Sequence, residues 1–170
     1  MRIPAAACGP GFEGGGQVNA LVSLLDFPPT LLDAAGIAVP PEMQGRSLLP
    51  LPRGEREGWP EEVFVQISES QVGRCVRTRR WKYSVVAPGR SGNEYPDADT
   101  YAEEFLYDLH ADPWELTNLI GFESHQEVAG VMRERLVRRM VAAGEQAPAI
   151  TAAPSCPSGQ RRVTAAEARQ

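Results

Sequence analysis

The chain has 170 residues, 17 Lys+Arg against 22 Asp+Glu and a formal net charge of -5, the size of one ordinary soluble domain. Hydrophobic residues at 42% supply a core, and Gly 16 with Pro 15 stays below a disorder-prone composition, so part of the chain should fold. The acidic balance argues against a nucleic-acid partner, and no apolar run approaches the roughly 18 residues of a bilayer span.

Residues 1–10 hold no hydrophobic stretch of signal-peptide length, so the chain reads as outside the membrane and cytoplasmic by default. Residues 1–17 form a Gly-rich loop after a short extended piece at 3–7. Asp26 can cap a helix over about 27–35, with Pro28 and Pro29 in the first turn, where a missing N–H costs little, and Gly36 as the left-handed stop. Prolines and glycines make 40–60 a connector with at most a short turn at 47–49.

Short β-type runs follow at 63–67, 74–77, 81–86 and 104–109, separated by turn chemistry, and predict a four-stranded antiparallel sheet. Ser124 and Glu127 match a capping box, and Val128, Val131, Met132, Leu136 and Met140 repeat at helical spacing up to Gly144. Glu134 and Arg138 add an i,i+4 pair. The tail, 148–170, lacks any period and is expected to be disordered.

Few motifs carry chemistry. Cys8, Cys75 and Cys156 are odd in number and far apart, which fits neither a disulfide framework nor a C-x-x-C metal site. Gly9, Gly11 and Gly14 match G-x-G-x-x-G formally, but Pro10 removes an N–H that a pyrophosphate would need. Asp97, Asp99 and Tyr101 open like a calcium loop without its glycine or bidentate Glu. Asp108, His110 and Asp112 alternate as metal ligands on a strand would, yet Pro113, Glu115 and Asn118 favour a turn there. Arg74, Arg77, Arg79, Arg80 and Lys82, interleaved with Trp81 and Tyr83, form the one basic and aromatic stretch suited to an anion.

The order of these pieces resembles the late part of sulfatases of the alkaline-phosphatase-like superfamily. The resemblance rests on the run from Val22 to Gly36, on Gln44-Gly45-Arg46-Ser47-Leu48-Leu49-Pro50-Leu51, on Arg77-Thr78-Arg79-Arg80-Trp81-Lys82-Tyr83, and on Tyr107-Asp108-Leu109 followed by Asp112-Pro113-Trp114-Glu115-Leu116-Thr117-Asn118-Leu119. It covers about residues 1–147 and implies an α+β fold. Residues 1–52 would complete an alkaline-phosphatase-like α/β domain, and 53–147 would form a small antiparallel sheet packed by a C-terminal helix.

Sulfatases hydrolyse sulfuric esters with a formylglycine made in a [C/S]-x-P-x-R motif and with a bound calcium ion. Here Cys8-Gly9-Pro10 ends in Phe12 where the Arg would stand, so no nucleophile is carried over to Cys8. Catalytic residues and metal ligands are therefore expected to be none in this chain, with calcium and formylglycine in a catalytic part that is separate or missing. What the resemblance leaves here is support and cleft shaping, with Gln71 and Arg74 as contacts to a sulfated small molecule or glycan in a full enzyme. A freestanding anion-binding module built on the hairpin from Arg74 to Lys82, or a truncation product without a role of its own, stays open at this point.

Overall fold

The structure, a computed structural model, describes residues 4–169, which divide into two compact units, Met1–Glu61 and Glu62–Gln170. The division falls past the expected 52/53 boundary because the proline-rich connector folds back within the first unit, where Trp59 Nε1 donates to the carbonyl of Leu21 at 2.8 Å.

In the first unit, Ser23 opens a 3-10 turn, Leu24–Asp26, through a capping box in which Asp26 Oδ2 accepts from the Ser23 N–H at 2.8 Å. Helix α1, Phe27–Ala34, follows with both prolines in its first turn. Asp26 does not cap it. Its other oxygen accepts from the Arg46 N–H at 2.9 Å, and Thr30 Oγ1 accepts from the Leu48 N–H at 2.9 Å, so one side chain of the 3-10 turn and one of α1 hold the returning segment. Gly45 is required there, since a Cβ would come 1.8 Å from the Leu25 carbonyl oxygen. Leu24, Leu25 and Leu31 remain exposed.

The second unit is a five-stranded sheet in the order β1 (Val63–Ile67), β2 (Gly73–Arg77), β3 (Trp81–Val86), β4 (Thr100–Asp108), β5 (Ala149–Thr151). The first four pair antiparallel as the short β-type runs and the turns between them predict, and β5 adds in parallel. Phe64, Val76, Tyr83 and Leu106 form one cross-strand row, and its face packs on α2, Gln126–Ala142, through Val128, Met132, Leu136 and Met140. This is an α+β architecture.

Four further expectations are corrected. The sheet is mixed and five-stranded because the tail supplies β5. The tail is ordered over 149–168: after β5, Cys156 bridges to Phe122, and Thr164 caps a short helix α3, Ala165–Ala168, with Val163 and Ala168 buried. Two apolar residues placed against α2, together with backbone bonds such as Val163 N–H to the Ser124 carbonyl at 2.8 Å, give this low-complexity segment the anchorage its composition conceals. The Ser124 capping box also does not form. Ser124 sits in a 3-10 turn, Glu123–His125, and Glu127 instead accepts from the Ala165 N–H and pairs with Arg162. Arg138 reaches Glu62 rather than Glu134. Among the described residues no helix is long and apolar enough to cross a membrane.

Candidate functional site

The loops at one end of the sheet carry the sequence-predicted contacts. Arg74 lies on β2, and its side chain is 2% exposed. Its Nε donates to Glu145 Oε1 at 2.8 Å, Nη1 to the Gly73 carbonyl at 2.9 Å and Nη2 to the Pro96 carbonyl at 2.9 Å, with the Tyr101 ring 5.8 Å away. One guanidinium thus ties β2, the loop 87–99 and the segment after α2. Gln66 Nε2 donates to the same Glu145 oxygen at 2.7 Å.

Gln71 is half-buried on the loop 68–72, its Nε2 3.5 Å from Glu104 Oε2. The two loops interlock, for a Cβ on Gly92 would meet the Glu69 carbonyl oxygen at 2.6 Å. The structure therefore brings Gln71 and Arg74 to the same loop pair and gives them different situations, Gln71 at its surface and Arg74 inside it.

Sequence reasoning missed Arg90, which is exposed on the second loop and stacks 4.2 Å over the Tyr95 ring. Its signal was the Pro88-Gly89-Arg90 turn directly after β3. A guanidinium backed by an aromatic face keeps its in-plane N–H groups available to an anion.

The hairpin cations are mostly spent internally. Arg80 pairs with Asp108 at 2.8 Å and lies over the Trp81 ring, Lys82 pairs with Glu115, and Arg74 with Glu145. Burial opposes the ionised Asp108 carboxyl, but Arg80 and the N–H groups of Ala111 and His110 hold it below the usual range. Asp108 Oδ1 accepts from His110 N–H at 3.0 Å and Ala111 N–H at 3.3 Å, while Asp112 Oδ2 accepts from Thr117 N–H at 2.7 Å. Asn118 Oδ1 takes the N–H groups of Leu106 and Ile120, and its Nδ2 donates to the Glu104 carbonyl. The alternating Asp108, His110 and Asp112 thus build a turn. Among the described residues no three His, Cys, Asp or Glu side chains gather as a metal ligand set.

Cys8 is exposed before a turn closed by Phe12 N–H to the Gly9 carbonyl at 2.9 Å. Gly11, with φ +83°, fits there because a Cβ would press on Leu49.

Residues 1–142 match the family described as N-sulphoglucosamine sulphohydrolase, C-terminal. The chain belongs to this sulfatase family. The C-terminal sulfatase chain is 35% identical over 129 residues to arylsulfatase K of Mus musculus, across 70% of its own length and 22% of the mouse protein. It is 38% identical over 96 residues to the extracellular sulfatase SULF-1 homolog of Drosophila melanogaster, covering 48% of itself and 9% of that protein. Among solved structures, a sulfatase of Bacteroides thetaiotaomicron aligns with TM-score 0.57 and 30% identity over 71% of this chain and 25% of that one. A protein solved in complex with its substrate D-glucosamine-2-N,6-O-disulfate aligns with TM-score 0.57 and 25% identity over 68% of this chain and 23% of its own. The C-terminal sulfatase chain therefore spans about a quarter or less of the relatives it matches, and corresponds to their C-terminal portion.

Proposed function

We propose that the chain serves as the C-terminal subdomain of a sulfuric ester hydrolase, supporting a catalytic part contributed by other sequence and forming one wall of its substrate cleft. The interlocked loops 68–72 and 87–99 carry this reading: Arg74, engaged through Nε and both Nη atoms, braces the loop 87–99 from β2, and Gln71 and Arg90 lie on the two loops, Gln71 half-buried and Arg90 exposed. Arg90 and Gln71 contact the anionic ester of a sulfated sugar or small molecule, Arg90 by charge-assisted hydrogen bonds and Gln71 by its amide. Arg74 is a positioning residue for both.

The residues present do not fit the family's calcium or formylglycine. Phe12 stands where the motif's Arg would be, and the described acidic side chains do not converge. Those groups belong to the catalytic part, and the chain by itself has no turnover, lacking the covalent and electrostatic terms that supply the rate. A 4-nitrophenyl sulfate assay of the purified chain tests this: release above the buffer blank that scales with protein concentration would overturn it. Replacing the residues that correspond to Gln71 and Arg90 with Ala in a complete sulfatase tests the cleft role. The Arg replacement raises KM about tenfold with kcat nearly unchanged, as expected for loss of a charged hydrogen bond, and an unaltered KM refutes it.

A further inference from the structure

Charge is balanced one to one in most ion pairs of the second unit: among the described residues, pairs such as Arg74 with Glu145 and Arg80 with Asp108 join one cation to one carboxylate. Glu62 is the exception, for Arg135, Arg138 and Arg139 all meet its carboxylate. Three positive charges around one negative leave a local excess of two, on a chain whose formal net charge is -5.

Sequence spacing puts the three heads together. Positions 135, 138 and 139 stand at i, i+3 and i+4 of α2 and so share one helix face. Glu62, directly before β1 and 7% exposed, meets that face with both oxygens. Its Oε2 accepts from Arg135 Nη1 at 2.6 Å, and its Oε1 accepts from Arg139 Nε at 2.9 Å and from Arg138 Nη2 at 3.4 Å. Arg138 and Arg139 therefore stand side by side on a single oxygen, like charges held next to each other. Glu134, the i+4 neighbour of Arg138, does not relieve them, since Arg138 turns to Glu62.

The excess is accessible. Arg138 is 63% exposed and Arg139 35%, whereas Arg135 at 15% is the anchored member. Arg135 engages Glu62 through one nitrogen and Arg138 through one, which leaves the other N–H groups of each planar fork for a further acceptor.

Guanidinium groups already fixed by a buried carboxylate, with two charges uncompensated, suit a compact dianion that accepts from more than one head and relieves their repulsion. A carboxylate or a sulfuric ester carries a single charge and would leave half of the excess in place. We propose that Arg135, Arg138 and Arg139, held by Glu62, bind a phosphate dianion, either free or as a monoester. The site uses none of the residues of the proposed cleft wall and disfavours the singly charged ester assigned to it.

Isothermal titration calorimetry of the full chain at pH 8, in Tris chloride at fixed ionic strength so that screening is constant, reads the binding. Inorganic phosphate and glycerol 3-phosphate, titrated side by side, tell a free anion from a monoester. At least one of them binds saturably with one equivalent per chain, and methyl sulfate, a tetrahedral monoanion, binds at least tenfold more weakly. Arg138→Gln, an exposed change at the longest of the three contacts, weakens the binding about tenfold, as loss of a charge-assisted bond implies, while Arg90→Gln leaves it unchanged. Failure of both phosphates to saturate below about 50 mM, methyl sulfate binding as tightly as they do, or an Arg138→Gln affinity equal to wild type would each overturn the proposal. Loss of binding on Arg90→Gln with none on Arg138→Gln would overturn it too, and would assign the anion to the cleft wall. Should Arg138→Gln perturb the fold, the contrast between dianion and monoanion on the wild-type chain, with Arg90→Gln beside it, still decides.

Discussion

Arg74→Ala separates an internal tie from a substrate contact. The Arg74 side chain is 2% exposed, and its deletion leaves the Glu145 carboxylate, 12% exposed, with Gln66 alone, leaves the Pro96 carbonyl without its donor, and opens a cavity against Tyr101. Breaking a buried ion pair on one side costs about 3–5 kcal/mol. With a urea dependence of about 2 kcal/mol per molar, the midpoint of unfolding should fall by roughly 1.5–2.5 M. Arg90→Ala, an exposed change, should stay within about 0.5 kcal/mol. The cycle of Arg74→Met and Glu145→Gln should be non-additive by about 1–3 kcal/mol, because the two charges depend on one another. Urea denaturation followed by far-UV circular dichroism of the wild type and these five variants, the Arg74→Met/Glu145→Gln double included, measures all of this. A loss below about 1 kcal/mol for Arg74→Ala with an additive cycle would refute the tie and return Arg74 to the role of a ligand contact.

Three further outcomes follow from the same structure. Burial raises the cost of ionising Glu62, but Arg135, with Arg139 and Arg138, holds its carboxyl below the ordinary value of 4.5, so its stabilisation is present above that pH and is lost as pH falls through the lower folded value. Glu62→Gln should therefore lower stability near neutrality and flatten the acid limb in urea titrations run from pH 3 to 6; an unchanged limb contradicts the cluster. Burial pushes the Cys75 thiol to about 11, whereas Cys8 and Cys156 are exposed, so iodoacetamide at pH 8 should label two cysteines and urea should release the third, with native labelling of Cys75 as the refuting result in mass spectrometry. Removing residues 149–170 uncovers the Val163 contact and the β4 edge; thermal unfolding should drop by about 2–4 kcal/mol of stability and sedimentation should show self-association, and a fully stable monomer would count against the packed tail.

Local chemistry made much of the fold legible. The β-type runs at 63–67 and 81–86 and the helical repeat of Val128, Met132, Leu136 and Met140 are local signals, and both match the structure. Partners distant in sequence were not legible. Asp26 looks like a cap for the next helix and is bound to Arg46, and Ser124 looks like half of a capping box and is bound to Ser158. Sequence distance hides the tail for the same reason: β5 needs the edge of β4 to become a strand, and Thr164 to Ala168 needs α2 beneath it. At the candidate site, Gln71 and Arg74 are expected only from the family resemblance, while Arg90 had no more than the turn Pro88-Gly89-Arg90 to mark it until its stacking on Tyr95 was seen.

Arginine use decides where an anion can bind. Around Glu62, Glu103 and Asp108 the more buried member of the ion pair is the carboxylate, at 7%, 4% and 9% exposure, each met by guanidinium groups whose heads lie nearer the solvent, whereas in the Arg74–Glu145 pair the guanidinium is the more buried. Three arginines converge on Glu62, two donating to its carboxylate from α2 at 2.6 and 2.9 Å and a third at 3.4 Å. Such convergence needs planar, multi-donor cations with long apolar stems that cover the core, which Lys would serve poorly. The consequence for the 74–82 hairpin is direct. Its charge stabilises the sheet, so a polyanion would have to displace internal carboxylates to use Arg74, Arg80 or Lys82, at a cost a surface salt bridge does not repay. Arg79 and Arg90 carry no carboxylate partner among the described residues, and of the two Arg90 lies on the loop that interlocks with the one bearing Gln71. That contrast, more than the density of positive charge in the sequence, is why the proposed cleft-wall contact falls to Arg90 rather than to the hairpin cations.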